Sequence, residues 1–580
     1  MTRTLTALLL LALAARAGGE ADASLRALLA DDLEAQMRRS PTWATSRGDR
    51  RFDDKLEDES AEARAEWLEH VRLRLAALRE IPREKLSPPE QTHADLLAFE
   101  LEERLRSAAF HPEQTAVTQL SGPQRDLPQL PSELTFTTPK HMEDYLARIE
   151  AIPAHLEQVT ANLRAGLAAG RTPPRVVMGP AADQALAQAT KEQEADPTLH
   201  ALWPPAPPGP LAERAARAIR ERAIPAFRKF GVFLRDEYVP KCRESVAAKD
   251  GVDGLSSYEA RLRHHTTLDL TAEQIHALGL AEVRRILGEM EGVIARTDAP
   301  KKEFAAFVEY LRTDPRFYFT RPEDLLASYR DIGKRIDAFL PALFGRLPRL
   351  TYGVKEMPKF IAPASPTAYY YRGAIEMGRP GYFVANTFKL DQRPRYEMIP
   401  LTLHEAVPGH HLQIALSQEM EGLPEWRTTL GYTAFVEGWA LYAERLALEM
   451  EGLLADPYDD FGRLSYEMWR AMRLVVDTGI HAKGWSRDKA IDYMLANSAL
   501  TRQNVEREVD RYIAWPGQAT AYKIGELKIR ELRAKAEAVL KERFDKRAFH
   551  DMVLAEGAIP LTLLVARADA WVANGGGRGG

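Results

Sequence analysis

The chain has 580 residues, of which 45% are hydrophobic and 28% charged, and a formal net charge of −5. That balance rules out a long disordered chain, a membrane bundle and a protein built to grip a nucleic-acid backbone, which needs a basic surplus. A single cysteine, Cys242, rules out an intrachain disulfide framework and any cysteine-based metal site. A bound metal must draw on the 14 histidines and on carboxylates.

Residues 1–17 read MTRTLTALLLLALAARA. Arg3 precedes an apolar run from Leu5 to Ala15, and Ala15-Arg16-Ala17 fits a small-x-small cleavage site. The run is too short to span a bilayer, which takes about 20 apolar residues. It reads as a cleavable export signal, and no cysteine follows it to accept a lipid. No later segment is apolar enough for membrane insertion. The expected mature protein is therefore soluble, in the periplasm or outside the cell.

The body is expected to be mainly α, with an N-terminal helical part at 18–255, a second part at 256–574 and a glycine-rich tail at 575–580. Ala63 to Ala77 places Trp67, Leu68, Val71 and Leu75 near one helix face. Ser121 to Pro139 is Pro-rich and breaks the pattern, and helix resumes over 141–170. Leu211 to Tyr238 is helical with a kink expected at Pro225. Thr271-Ala-Glu-Gln274 is a capping box opening a further helix. Strand candidates are Leu350–Val354, Ala368–Tyr371 and Gly381–Thr387, rich in aromatic and β-branched residues. The last of these could accept an extended peptide as an edge strand, or be an ordinary buried strand. After residue 400 helix is expected almost to the end.

Residues 400–413, PLTLHEAVPGHHLQ, place His404, Glu405, His410 and His411 within eight positions. In the pattern H-E-x-x-H two imidazoles share one helix face and the glutamate serves as general base. Here His404 and Glu405 fit its start, but position 408 is Pro. On an undisturbed helix His410 is rotated about 240° from His404, and His411 lies ~10.5 Å further along the axis. Pro408 cannot continue the hydrogen-bond ladder and Gly409 follows it, so a bulge is expected. Looping out two residues carries His410 to the place of an i+4 histidine. His410 is favoured as second ligand over His411. The run EGWALYAE supplies Glu437, 27 residues after His410, as third ligand. Glu444 is the alternative, or a partner that orients a histidine. Gly438 would allow close helix packing beside the site. A di-iron bundle would want Glu-x-x-His on two helices, and neither Glu405 nor Glu437 has a histidine three residues later.

HEAVPGHHLQ, EGWALYAE, VVDTGIHAKGW and RYIAWPGQATAYKIGELKI, with SYEARLRHHTTLDLTAEQIHALGLAEVRRI at 257–286, together resemble the bacterial domain-of-unknown-function 885 family over most of the mature chain. The resemblance implies a large zincin-like helical shell with a small β-sheet beside the active-site helix and a deep central cleft. That shell is similar to thimet oligopeptidase and the Taq-type carboxypeptidases. It implies a metallopeptidase acting on a peptide substrate. His404, His410 and Glu437 would hold one Zn²⁺, with Glu405 as general base. Tyr512 and Tyr522 are the expected oxyanion donors, unless their hydroxyls serve the core. Gln518 and Lys523 could meet a substrate carboxylate. Arg473 and His481 are weaker candidates, His481 reading better as structural. A metallohydrolase of non-peptide amides and a metal-bound non-catalytic protein are the other classes considered.

Overall fold

The computed structural model describes residues 2–205, 207 and 209–577, with side chains described from Gly19 onward except at 206, 208, 364 and 376. The export-signal reading of 1–17 and the end of the tail, 578–580, lie outside the described side chains. The protein is mainly α, and among the described residues no helix is long and apolar enough to cross a membrane. The chain divides into two compact units. One is Met1–Ala260 with Pro424–Thr429; the other is Arg261–Leu423 with Leu430–Gly580.

In the first unit, α1 (Ala61–Arg79) is capped by the Ser60 side chain and buries Val71, Leu75 and Leu78. Trp67 and Leu68, expected on that face, are only half-buried, and Trp67 stacks on His70 with ring centroids 5.4 Å apart. The unit's core gathers around α2 (Pro139–Ala168), which buries Tyr145, Leu146, Ile149, Ile152 and Leu156. Arg148 lies in that core with its Nε donating to the Lys55 carbonyl (2.8 Å) and its Nη2 to the Phe52 carbonyl (3.0 Å), while its buried Nη1 has no partner. The kink expected at Pro225 takes the form of a π-turn at Ile219–Ala223, just before the proline. A second π-turn follows at Leu234–Tyr238. Pro225 lacks an N–H and crowds the carbonyl one turn back, and a widened turn relieves both.

The second unit begins its regular helices with α3 (Ala272–Arg296), where Thr271 and Gln274 form the expected capping box. A three-stranded sheet follows: β1 (Tyr352–Glu356), β2 (Ala368–Tyr371) and β3 (Gly381–Ala385), in the order β1-β3-β2. β3 runs parallel to β1, with Val354 opposite Phe383, and antiparallel to β2, with Tyr370 opposite Phe383. The segment considered as an edge strand for a peptide is thus the central strand, and both its hydrogen-bonding edges are occupied. It ends at Ala385, where the Asn386 side-chain amide donates to the carbonyls of Ala362 (2.8 Å) and Pro366 (3.0 Å).

Six helices complete the part that matters for function: α4 (Met398–Glu405), α5 (His410–Gln418), α6 (Thr433–Arg445), α7 (Pro457–His481), α8 (Arg502–Ala514) and α9 (Ala521–Leu540). α6 and α9 cross at glycines. A Cβ on Gly438 would lie 2.5 Å from the Gly525 Cα, and one on Gly525 would collide with the Ala434 carbonyl. α3 and α7 use the same device, with a Cβ on Gly279 falling 2.7 Å from the Leu474 Cβ.

α7 is buried along every residue from Arg470 to His481, yet it carries Arg463, Glu467, Arg470, Arg473 and Asp477 at helical spacing. These charges are matched rather than isolated. Lys523 of α9 is fully enclosed by Glu467 (2.8 Å), Glu526 (2.8 Å) and Glu282 (2.9 Å). Arg463 holds the other oxygen of Glu467 at 3.2 Å, and Arg285 also pairs with Glu467. This corrects the expectation that Lys523 meets a substrate carboxylate: three glutamates from three helices already surround its ammonium.

Two predictions follow from this packing. Gly525→Ala should lower stability by about 1–3 kcal/mol through overpacking at the α6–α9 crossing, and Gly525→Val by more. Unchanged urea midpoints for both would refute the close approach. The second concerns His550 of α10 (Lys546–Leu554), which bonds the Leu343 carbonyl through Nδ1 and the Tyr442 hydroxyl through Nε2, both at 2.8 Å. Burial pushes its pKa from 6.5 down to about 4. The folded pKa is depressed, so the neutral imidazole contributes stability above pH 6.5 that is lost as pH falls towards 4. The total is on the order of 3 kcal/mol. The slope of stability against pH in that window should flatten in His550→Gln, measured by urea unfolding at stepped pH.

Candidate metal centre

The site begins where a helix fails to continue. α4 ends at Glu405, and Ala406 leaves helical geometry at φ −103°, ψ −108°. A cis peptide joins Val407 to Pro408, Gly409 sits at φ −75°, ψ −127°, and α5 starts at His410. The expected two-residue bulge is in fact a four-residue interruption. Pro408 removes a donor, and the chain then folds back tightly enough that a Cβ on Gly409 would collide with the carbonyls of Leu403 and His404. Two bonds hold the break. The His411 N–H donates to the Ala406 carbonyl at 3.0 Å, and the Trp439 indole of α6 donates to the Pro408 carbonyl at 2.8 Å.

The break brings His404 and His410 together, with ring centroids 4.7 Å apart and planes at 85°. Both Nε2 atoms face one oxygen of Glu437, His404 at 3.5 Å and His410 at 3.6 Å. The three ligand atoms lie within 4.8 Å of one another. A tetrahedral zinc with ligand distances of about 2.1 Å has its donors about 3.4 Å apart, so the spacings to Glu437 suit one ion. Two imidazole nitrogens and a carboxylate oxygen are also a donor set typical of zinc with a position left open.

Outside the three lies an orienting layer. His404 Nδ1 bonds Glu444 at 2.8 Å, which fixes the ring with Nε2 directed at Glu437. Arg470 reaches the same Glu444 oxygen at 3.2 Å. Glu444 therefore orients a histidine, one of the two roles considered for it. Burial works against charge on His404, but the Glu437 and Glu444 carboxylates outweigh it and raise the pKa to about 9. Burial would raise Glu437, yet its bond to His404 and the charges of His410 and Arg470 hold it near 2. For His410 burial dominates and lowers the pKa. The Glu437 and Glu444 carboxylates thus favour the charged form of His404.

His411 faces elsewhere. Its Nδ1 meets the Tyr370 hydroxyl and its Nε2 the Leu350 carbonyl, each at 3.0 Å, so it ties the sheet to α5. Glu405 is half-buried and its charge acts on both His404 and His410. Tyr522 is half-buried, and burial followed by the Glu437 charge raises its pKa. The Arg473 guanidinium lies 4.5 Å from the Tyr522 ring and 4.5 Å from the Trp469 ring. Arg473 also donates to the Tyr512 hydroxyl at 3.2 Å, which itself donates to Glu508 at 2.7 Å. Tyr512 is fully buried with its hydroxyl engaged there, while Tyr522 is the tyrosine on which the Glu437 charge acts. Gln518 accepts from Arg511 and bonds Tyr522. His481 bonds the Tyr512 carbonyl at 2.9 Å.

Two residues of the orienting layer escaped sequence reasoning. Arg470 had a readable signal: polar residues at steps of three and four inside an otherwise apolar helix mark a buried polar stripe. Trp439 had none, since its partner is a backbone carbonyl 31 positions away.

No curated protein matches the chain significantly. Among solved structures, a protein of Colwellia psychrerythraea described as a putative lipoprotein is 26% identical, with a TM-score of 0.87 over 96% of this chain and 100% of its own. A protein of Shewanella oneidensis described as a putative lipoprotein of unknown function has the same fold at 20% identity, with a TM-score of 0.77 over 94% of this chain and 99% of its own. The family described as "Bacterial protein of unknown function (DUF885)" matches residues 41–567, and the chain belongs to that family.

Proposed function

We propose that the protein is an exported, zinc-dependent metallopeptidase that hydrolyses peptide bonds of peptides or oligopeptides. The observation that carries this reading is the convergence of His404 Nε2, His410 Nε2 and a Glu437 oxygen beside an unligated Glu405. The zincin-like comparison supports the same reading, because a His-Glu pair, a second histidine and a glutamate on a following helix are its working parts. Export is supported by residues 1–17 and by the lipoprotein description of the Colwellia protein.

His404, His410 and Glu437 would hold the ion, and Glu444 with Arg470 would keep the His404 ring in place. Zinc in such a site supplies Lewis acidity towards a water and a carbonyl oxygen. The Glu405 carboxylate takes the proton from the attacking water and returns it to the leaving amine nitrogen. The Tyr522 hydroxyl donates to the oxygen on which negative charge develops, and Arg473 stacked on its ring holds it there. Glu405 favours a hydrolase over a purely binding role, since a scaffold needs no carboxylate beside its ligands.

Glu405→Gln should keep one zinc per chain by elemental analysis and lose about 100-fold or more of its cleavage of a mixed peptide library. Full turnover by that variant would sink the assigned role. Release of non-peptide amides, with no peptide cut, would move the substrate class. His404→Ala should not retain zinc through dialysis. Glu444→Gln should weaken zinc affinity about 10–100-fold, read by chelator competition.

A further inference from the structure

The helix Gly254–Thr266 ends on a basic stretch that includes Arg261, His264 and His265. Arg263 there pairs with Asp269. Arg261 does not pair with anything: among the described residues its guanidinium has no carboxylate partner and no hydrogen bond. The side chain is nonetheless half-buried, and desolvation alone lowers its pKa. A desolvated guanidinium without a counter-charge is costly to keep, and the cost is removed when an anion arrives.

The surroundings suit such an anion. The His265 ring lies beside Arg261 in sequence and edge-on to Trp515, with centroids 6.2 Å apart. Burial, then the charges of His264 and Arg261, push His265 down to about 3, so it stays neutral and can donate one ring N–H. Trp515 is 48% exposed, a large apolar surface left open beside the His265 ring. Gly517, at φ +85°, packs its backbone on that of Arg261; a Cβ there would lie 3.3 Å from the Arg261 carbonyl carbon. The Gly517 N–H is anchored on Asp477 at 3.0 Å. The next residue, Gln518, bonds Tyr522, on which the Glu437 charge acts. The uncompensated arginine and the candidate metal centre thus border one short segment, 515–522, within the same unit.

We propose that Arg261, with His265 and Trp515, forms an anion subsite that takes a carboxylate of the peptide substrate. This rests on the peptidase reading. The guanidinium fork matches a carboxylate bidentately, and Trp515 offers an apolar wall to the adjoining residue. The carboxylate could be the C-terminal one or an acidic side chain, and the chemistry recognised is the same.

The test is equilibrium binding of a mixed-sequence hexapeptide library, made half as free acids and half as C-terminal amides, to zinc-loaded full-length Glu405→Gln. Bound peptides are counted by mass spectrometry after ultrafiltration. Free acids should be enriched about tenfold over amides, and the enrichment should vanish when Arg261→Gln is added. If amides containing Asp or Glu are enriched instead, and lose that advantage with Arg261→Gln, the side chain is the source and the subsite stands. Equal retention of acids, acidic amides and neutral amides by the Arg261 protein overturns the proposal, as does enrichment that survives Arg261→Gln. The parent protein's acid-to-amide ratio needs no further variant, and Arg261→Lys, which keeps charge but loses the fork, serves if Arg261→Gln does not fold. Hydrolysis is scored separately with the wild-type enzyme. Cleavage with the same KM for free acids, acidic amides and neutral amides removes the subsite and leaves the peptidase; selective binding without any cleavage removes the peptidase and leaves the subsite.

Discussion

The interruption at residues 406–409 is the constraint from which the candidate centre follows. A continuous helix would point His404 and His410 in different directions, and no side-chain rotation would bring both to one ion. Pro408 makes continuation impossible, Gly409 lets the chain turn back against the Leu403 and His404 carbonyls, and Trp439 grips the Pro408 carbonyl. That last bond also fixes α6, and α6 carries Glu437 two residues before Trp439. One hydrogen bond therefore sets the break and Glu437 in the same frame. The Gly438–Gly525 crossing does the same for Tyr522, since α9 can approach the centre only because neither helix carries a side chain there.

Around this centre the protein buries an unusual amount of charge. Glu444 and Arg470 support His404, while Lys523 sits among three glutamates deeper in the same unit. Buried pairs of this kind are weak contributors to stability, because desolvation consumes most of the Coulombic gain. Breaking one is expensive, so they restrict how α3, α6, α7 and α9 can pack. A polar interior of this kind suits a site that must hold histidines and carboxylates in set orientations. Arg261 differs from these groups because the fold supplies it no partner.

Much of the secondary structure was legible because its causes are local. The Thr271 capping box needs only four residues, and the strands announce themselves by aromatic and β-branched runs. The His404–Glu405 pair, the Pro-Gly break and Glu437 could be picked out by residue type and spacing. Lys523 was misread because nothing near it in sequence shows that Glu282 and Glu467, from two other helices, come to meet it. The role of the 381–385 strand was open for a similar reason. Its composition is that of any strand, whereas its central position depends on parallel pairing with β1, whose register no local pattern encodes.

Composition alone was enough to say that any metal must be held by histidine and carboxylate, and spacing singled out the cluster at 404–411 and the helix at 437–444 as candidates. Those are statements about which atoms are chemically able to bind and which lie close along the chain. Which histidine faces Glu437, which glutamate stands behind His404 and which tyrosine hydroxyl is engaged by Arg473 depend chiefly on contacts between segments tens of residues apart. His411 is drawn to Tyr370 and Leu350, Tyr512 to Glu508 and Arg473, and Glu444 to His404 and Arg470. Each of those pairings is a competition among nearby polar groups for the same buried partner, and only the packed helices determine who is within reach.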